Sequence, residues 1–137
     1  MYTINFWPIL VAAIVAMVIG ALWYSPMLFG KDWMTLNKMN DADVKAAKAK
    51  GVWGLYVIQF VISLISFCVV GFLVSATGLQ TASDGAFLGF LVWLGFVMPI
   101  GASGLCWEKK PFKLVLITTV ASLLTLVIGA AIIGGWR

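Results

Sequence analysis

FWPILVAAIVAMVIGALWYSP, residues 6–26, carries no charge and ends abruptly. From Phe6 to Trp23 nothing is more polar than Gly20 or Pro8, and as a helix those residues rise about 27 Å, close to the roughly 30 Å of hydrocarbon in a bilayer. Trp23 and Tyr24 close the run with apolar rings that carry a polar tip, the composition of a membrane–water interface. Pro26 disfavours helical geometry at Ser25, Gly30 permits a tight turn, and Lys31 is suited to the headgroups. The stretch therefore reads as a membrane-spanning helix. A cleaved signal peptide needs a basic leading segment and small residues at its end. Here nothing basic except the amino terminus precedes Phe6, and the end is bulky, so the segment is expected to be retained.

Working outward, the whole chain has the same character. Its 137 residues are 63% hydrophobic and 10% charged, against roughly 25% charged in soluble domains. Spans are expected at about 6–24, 52–77, 85–107 and 114–136, with loops at 25–51 and 108–113, which leaves little room for a soluble domain. Backbone groups in lipid must be paired internally, and helices achieve that. The expected fold is all-α, one transmembrane bundle of four helices covering residues 1–137.

Charge sets an orientation. Lys31, Lys38, Lys45, Lys48 and Lys50 lie between the first two spans, and Lys109, Lys110 and Lys113 lie between the last two; the opposite side has Arg137. By the positive-inside rule both long connections are expected in the cytoplasm and both termini outside, in the cell (inner or plasma) membrane. The basic balance then reflects orientation and anionic headgroups and does not argue for nucleic acid. Trp53, Tyr56 and Trp107 extend the belt begun by Trp23 and Tyr24, and Trp7 and Trp136 mark the other face. In the long connection, Met27, Phe29, Trp33, Leu36 and Met39 alternate with Lys31 and Lys38, as suits an interfacial segment. Asn40 or Asp41 as N-cap, lysines in the last turn and Gly51 as a stop predict a short helix leading into the second span.

The segment GALWYSPMLFGKDW, followed by a basic connector, LVWLGFVMPIG and WEKKPFKL, resembles the domain-of-unknown-function family 1761 of small integral membrane proteins. Its most specific part is the pattern WYSPxLFGKxW, carried by Trp23, Tyr24, Ser25, Pro26, Leu28, Phe29, Gly30, Lys31 and Trp33. A weaker second part is WLGFVMP at residues 93–99, with Glu108 beyond it. The resemblance implies a small bacterial-type four-helix membrane protein and brings no activity with it. Two readings of the motif stand: an aromatic belt, helix stop and positive anchor, or a mouth or partner site at the cytoplasmic face lined by Tyr24, Ser25 and Trp33.

Chemistry is sparse inside the spans. Asp84 and Glu108 sit at span ends, and no Asp, Glu, Lys, Arg or His lies in a span interior. Proton relays and charged-substrate sites use such groups, so a proton-coupled exporter is disfavoured; small multidrug transporters share the size but depend on a carboxylate in the first span. The chain has no His, the commonest general base and metal ligand. Cys68 and Cys106 are expected at different depths and read as small unbridged thiols. No catalysis, cofactor or metal is expected.

Helix packing is what the spans offer. Ala12, Ala16 and Gly20 recur every four residues, and Gly71 with Ser75, Gly85 with Gly89 and Ala130 with Gly134 repeat the spacing. Such stripes let backbones approach in lipid, within the bundle, in an oligomer, or in both. Gln59, Ser63 and Ser66 share one face of the second span, and Thr118, Ser122 and Thr125 one of the fourth. These hydroxyls and the amide suit interhelical hydrogen bonds, or else a hydrated path. Pro99 is expected to kink the third span, and Trp93 lies deeper than belt aromatics do. The leading functional expectation is a structural or interaction protein that self-associates or serves as accessory subunit of a membrane complex. The alternative is a passive conduit for a small neutral or weakly polar solute through Gln59, Ser63, Ser66, Ser122 and Thr125.

Overall fold

The structure, a computed structural model, describes residues 5–25, 28, 32, 35–36, 42 and 52–136, except the side chains of Val52 and Trp53. Its long elements are α1 (Phe6–Trp23), α2 (Val52–Thr77), α3 (Ala82–Val92), a π-helical turn (Trp93–Val97), α4 (Met98–Cys106) and α5 (Phe112–Gly135). The segment from α3 through α4 is one continuous span, so four helical spans are long and apolar enough to cross a membrane, and no strand occurs among the described residues. This is an all-α multi-pass bundle. The short helix expected between the first and second spans falls outside the described residues.

The ends follow local chemistry. At the start of α1 the Asn5 side chain accepts a hydrogen bond from the Trp7 N–H at 3.2 Å. α2 stops where Gly78 adopts φ 71°, letting the Leu79 N–H reach back to the Val74 carbonyl at 3.2 Å; a left-handed glycine just past a helix is the usual way to satisfy its last carbonyls. Thr81 Oγ1 then accepts from the Asp84 N–H at 3.1 Å, with the acid in the first turn, where the helix dipole welcomes it. α3 thus begins at Ala82, three residues ahead of the expected Gly85. Between α4 and α5 the chain turns through Lys109 at φ 52°, the Lys110 N–H bonds the Gly104 carbonyl at 3.0 Å, and Pro111 leads into Phe112.

α5 is the hub, packing against α1, α2, α3 and α4. The closest approach is to α3. A Cβ built on Gly85 would run into the Ala130 carbonyl, one on Gly89 would lie 2.6 Å from the Leu126 carbonyl oxygen, and one on Gly134 would lie 2.9 Å from the Gly85 Cα. The partners descend α5 as they ascend α3, so the two helices are antiparallel with backbone against backbone. On the other side, Ile9, Ala12, Ala13 and Ala16 of α1 meet Phe67, Val70 and Val74 of α2 and Ala130 and Ile133 of α5 in one buried cluster. The Phe67 ring fills the space over Gly129. Gly71 is buried and Ser75 half-buried. Gly20 behaves differently from Ala12 and Ala16: nothing lies within 4 Å of a Cβ built there.

Hydrophobicity does not drive helices together in lipid, so this close packing carries the association. Gly85→Ala and Gly89→Ala are each expected to lower the unfolding free energy by about 1–3 kcal/mol through overpacking, and Gly20→Ala to change it by less than about 0.5 kcal/mol. Unfolding of the full chain by denaturing detergent measures both; equal losses at Gly20 and Gly85 would contradict this packing.

Candidate functional site

The family-like motif begins at the last residue of α1, and its first side chain makes a long-range contact. The indole N–H of Trp23 donates to the Ile117 carbonyl of α5 at 3.1 Å. A second indole, Trp93 at the head of the π turn, donates to the Thr119 carbonyl of α5 at 2.8 Å. Carbonyls two residues apart lie about 200° apart around a helix, so the two tryptophans hold α5 from opposite sides. Each carbonyl has a second lone pair beyond the one used in the helix, which is what the indole takes. Around Trp93, the Phe90 ring lies 6.1 Å away, tilted by 30°. A Cβ built on Gly101 would come within 2.8 Å of the Thr119 methyl.

The π turn has a cause in the sequence. Pro99 offers no N–H, and just ahead of it the Met98 N–H reaches the Trp93 carbonyl, five residues back. The register change takes up the disruption that the sequence predicts as a kink. Ser103 Oγ in turn donates to the Pro99 carbonyl at 3.0 Å. No residue of the π turn is buried.

Past Trp23, the Tyr24 N–H caps α1 on the Gly20 carbonyl at 3.0 Å, and the Ser25 hydroxyl donates to the Leu22 carbonyl at 2.7 Å. Tyr24 is half-buried, and burial pushes its phenol above the ordinary value. The Leu28 N–H bonds the Ser25 carbonyl at 3.0 Å, leaving its side chain exposed. The Asp32 carboxylate meets Lys113 Nζ at 3.4 Å, joining the connector to the first turn of α5; with both groups about half exposed the pair contributes little. Pro26, Phe29, Gly30, Lys31 and Trp33 lie outside the described residues. At the next connection Glu108 pairs with Lys110 at 2.8 Å, beside a Trp107 that is 88% exposed.

The residues of the expected polar path differ in exposure. Ser63 is buried, whereas Gln59 and Ser66 are exposed on the outer surface of α2. On α5 the hydroxyls bond carbonyls of their own helix: Thr118 to Leu114 at 3.2 Å, Ser122 to Thr118 at 3.1 Å and Thr125 to Ala121 at 2.9 Å. Among the described residues, Trp23 and Trp93 make hydrogen bonds between spans. A shallow apolar groove of about 540 Å³ lies elsewhere, lined by Val11, Ala131, Ile132, Gly135 and Trp136. Cys68 and Cys106 are both free thiols.

Residues 7–134 match the family described as Protein of unknown function (DUF1761). The chain belongs to the DUF1761 family. Comparison with curated proteins and with solved structures returned no match. In this DUF1761 chain the motif's leading tryptophan is thus a docking residue between the first and last spans. Trp93, in the weaker second part of the pattern, is its counterpart between the third and last. The depth of Trp93 in its span was the signal available in sequence; its acceptor on α5 was not.

Trp23→Phe and Trp93→Phe keep an apolar ring and remove the donor. Each is expected to lower the unfolding free energy by about 1 kcal/mol, whereas Trp7→Phe, at an exposed ring on α1, leaves it unchanged. Denaturing-detergent titration reads the difference, and an equal loss for Trp7→Phe would contradict the docking role.

Proposed function

We propose that this protein is a non-catalytic membrane scaffold that self-associates or serves as accessory subunit of a larger membrane complex. The observation that carries this reading is how little of each span the chain itself covers. In the most apolar window of the third span 11% of residues are buried, and 28% in each of the others. Phe87, Phe96 and Ile100 of the third span and Leu55, Val57 and Ile65 of the second are all more than half exposed. Such surface is available to lipid and to other helices, and with two indole bonds and a glycine seam the bundle presents it on a fixed frame.

A conduit has less support, since the hydroxyls of α5 are engaged within their helix and Gln59 and Ser66 lie on the outside. The lysine distribution supports both long connections in the cytoplasm and both termini outside the cell membrane. A cysteine placed at Lys45 is expected to resist an impermeant thiol reagent on intact cells and to react once the membrane is opened; labelling of intact cells would reverse the orientation.

Native mass spectrometry of the tagged full chain, extracted in mild detergent, tests the main proposal. The expected species is an oligomer of two or more chains, each 14.8 kDa plus the tag, or a stoichiometric complex with a second membrane protein. A lone monomer without a partner protein would overturn the scaffold reading, and solute flux through it in liposomes would favour a conduit.

A further inference from the structure

We propose that an exposed flank of α2, beside its buried line, is the surface through which two copies of this chain pair, side by side and in register, with Gln59 as the polar contact near one end. The inference rests on the scaffold reading above and names the partner: a second copy.

The face is defined by spacing. Leu55, Gln59, Ile62, Ser66, Val69 and Leu73 fall on alternating steps of four and three residues, the 3.5-residue repeat with which two helices wrap around each other in a left-handed pair. The first five are exposed, and Leu73 is half-buried at the edge of the bundle. Phe67, Val70 and Val74 of the same helix pack in the cluster shared with α1 and α5, with Ser63 and Gly71 buried along the same side. α2 therefore carries two seams, one filled by its own chain and one left open.

Gln59 decides what fills the open seam. It lies seven residues into α2, about 10 Å from its start, and among the described residues nothing accepts from or donates to its amide. A side-chain amide facing hydrocarbon is costly unless paired. The exposed hydroxyl of Ser103 finds the Pro99 carbonyl of its own helix; the Gln59 amide, flanked by Leu55, Tyr56, Ile58 and Ile62, makes no such bond among the described residues. An amide is donor and acceptor at once. Copies in one membrane share an orientation, so a two-fold axis along the membrane normal sets α2 parallel to α2 and Gln59 opposite Gln59, each amide donating to the other. A polar residue at one such position is a known device for fixing register and oligomer number. Ser66, two turns further along the same line, is small enough to let the backbones close. The exposed face of the third span is also broad, but at Phe87, Leu91, Leu94, Phe96 and Ile100 it offers carbon alone, to which lipid is an adequate neighbour.

The test is cross-linking in native membranes. With Cys68 and Cys106 replaced by Ala in the full chain, single cysteines are placed at Ile62 and Ser66, and, for comparison, at Phe96 and Ile100. Mild oxidation is expected to give disulfide dimers at Ile62 and Ser66 and little at Phe96 and Ile100. Adding Gln59→Leu to the Ser66→Cys chain should lower the cross-linked fraction by roughly three- to tenfold, while Gln59→Asn retains most of it, which separates lost pairing from misfolding. Dimers forming equally through Phe96 or Ile100, or none through α2, would overturn the proposal. If native mass spectrometry still shows a homo-oligomer in that case, the face is wrong and the scaffold reading survives; a monomer without any partner protein removes both.

Discussion

Lipid surrounds every helix of this chain with material as apolar as leucine, so burial alone gives the spans no reason to meet. What brings them together is proximity of backbone. Gly85 and Gly89 on α3 and Ala130 and Gly134 on α5 remove the side chains that would hold two helices apart, and dispersion contacts over the freed length supply the attraction. α5 stands at the centre because it offers smooth surfaces in more than one direction: Ala130 and Gly134 to α3, and Gly129 to Phe67 of α2. The arrangement places Gly at contacts where any Cβ would meet a carbonyl oxygen or a ring.

The far end of the bundle is held by polar contacts. Toward the lysine-bearing connection the third span has passed through its π turn and lies less closely on α5. There the chain relies on two indole hydrogen bonds, Trp23 to Ile117 and Trp93 to Thr119, taken from opposite sides of one helix. A carbonyl deep in a helix is an acceptor that lipid cannot replace, and an indole N–H in the same surroundings needs one. Close packing at one end and indole bonds at the other together leave the outer surfaces of the second and third spans free.

Much of this architecture is legible in residues. The uncharged run from Phe6 and the Trp-Tyr-Ser-Pro stop announce the first helix, which closes at Trp23 with Tyr24 as its cap, because membrane thickness and proline geometry act locally. Gly85 with Gly89 and Ala130 with Gly134 have a spacing that shows which positions are smooth, though only the fold shows that these two stripes face one another while Gly20 faces open space. Three features escape a reading of this kind. The π turn depends on how Pro99 shifts bonds made by its neighbours. The hydroxyls of Thr118, Ser122 and Thr125 have acceptors within their own helix, and nothing in their spacing distinguishes that from bonding across helices. Trp93 finds its acceptor 26 residues away, a tertiary fact. Within the motif, the sequence identifies Trp23 as an interfacial ring, and its partner on α5 adds a docking role that composition does not carry.

The most direct test of backbone-close packing between the third and last spans is an engineered bridge. A Cβ built on Gly135 would lie 3.1 Å from the Cβ of Ala82, near the roughly 3.5–4.5 Å a disulfide spans. In the full chain with Cys68 and Cys106 replaced by Ala, Ala82→Cys with Gly135→Cys is predicted to close an intramolecular disulfide under mild oxidation in the membrane, read by mass after alkylation of free thiols. Two thiols that stay free, or that link only between chains, would contradict the account.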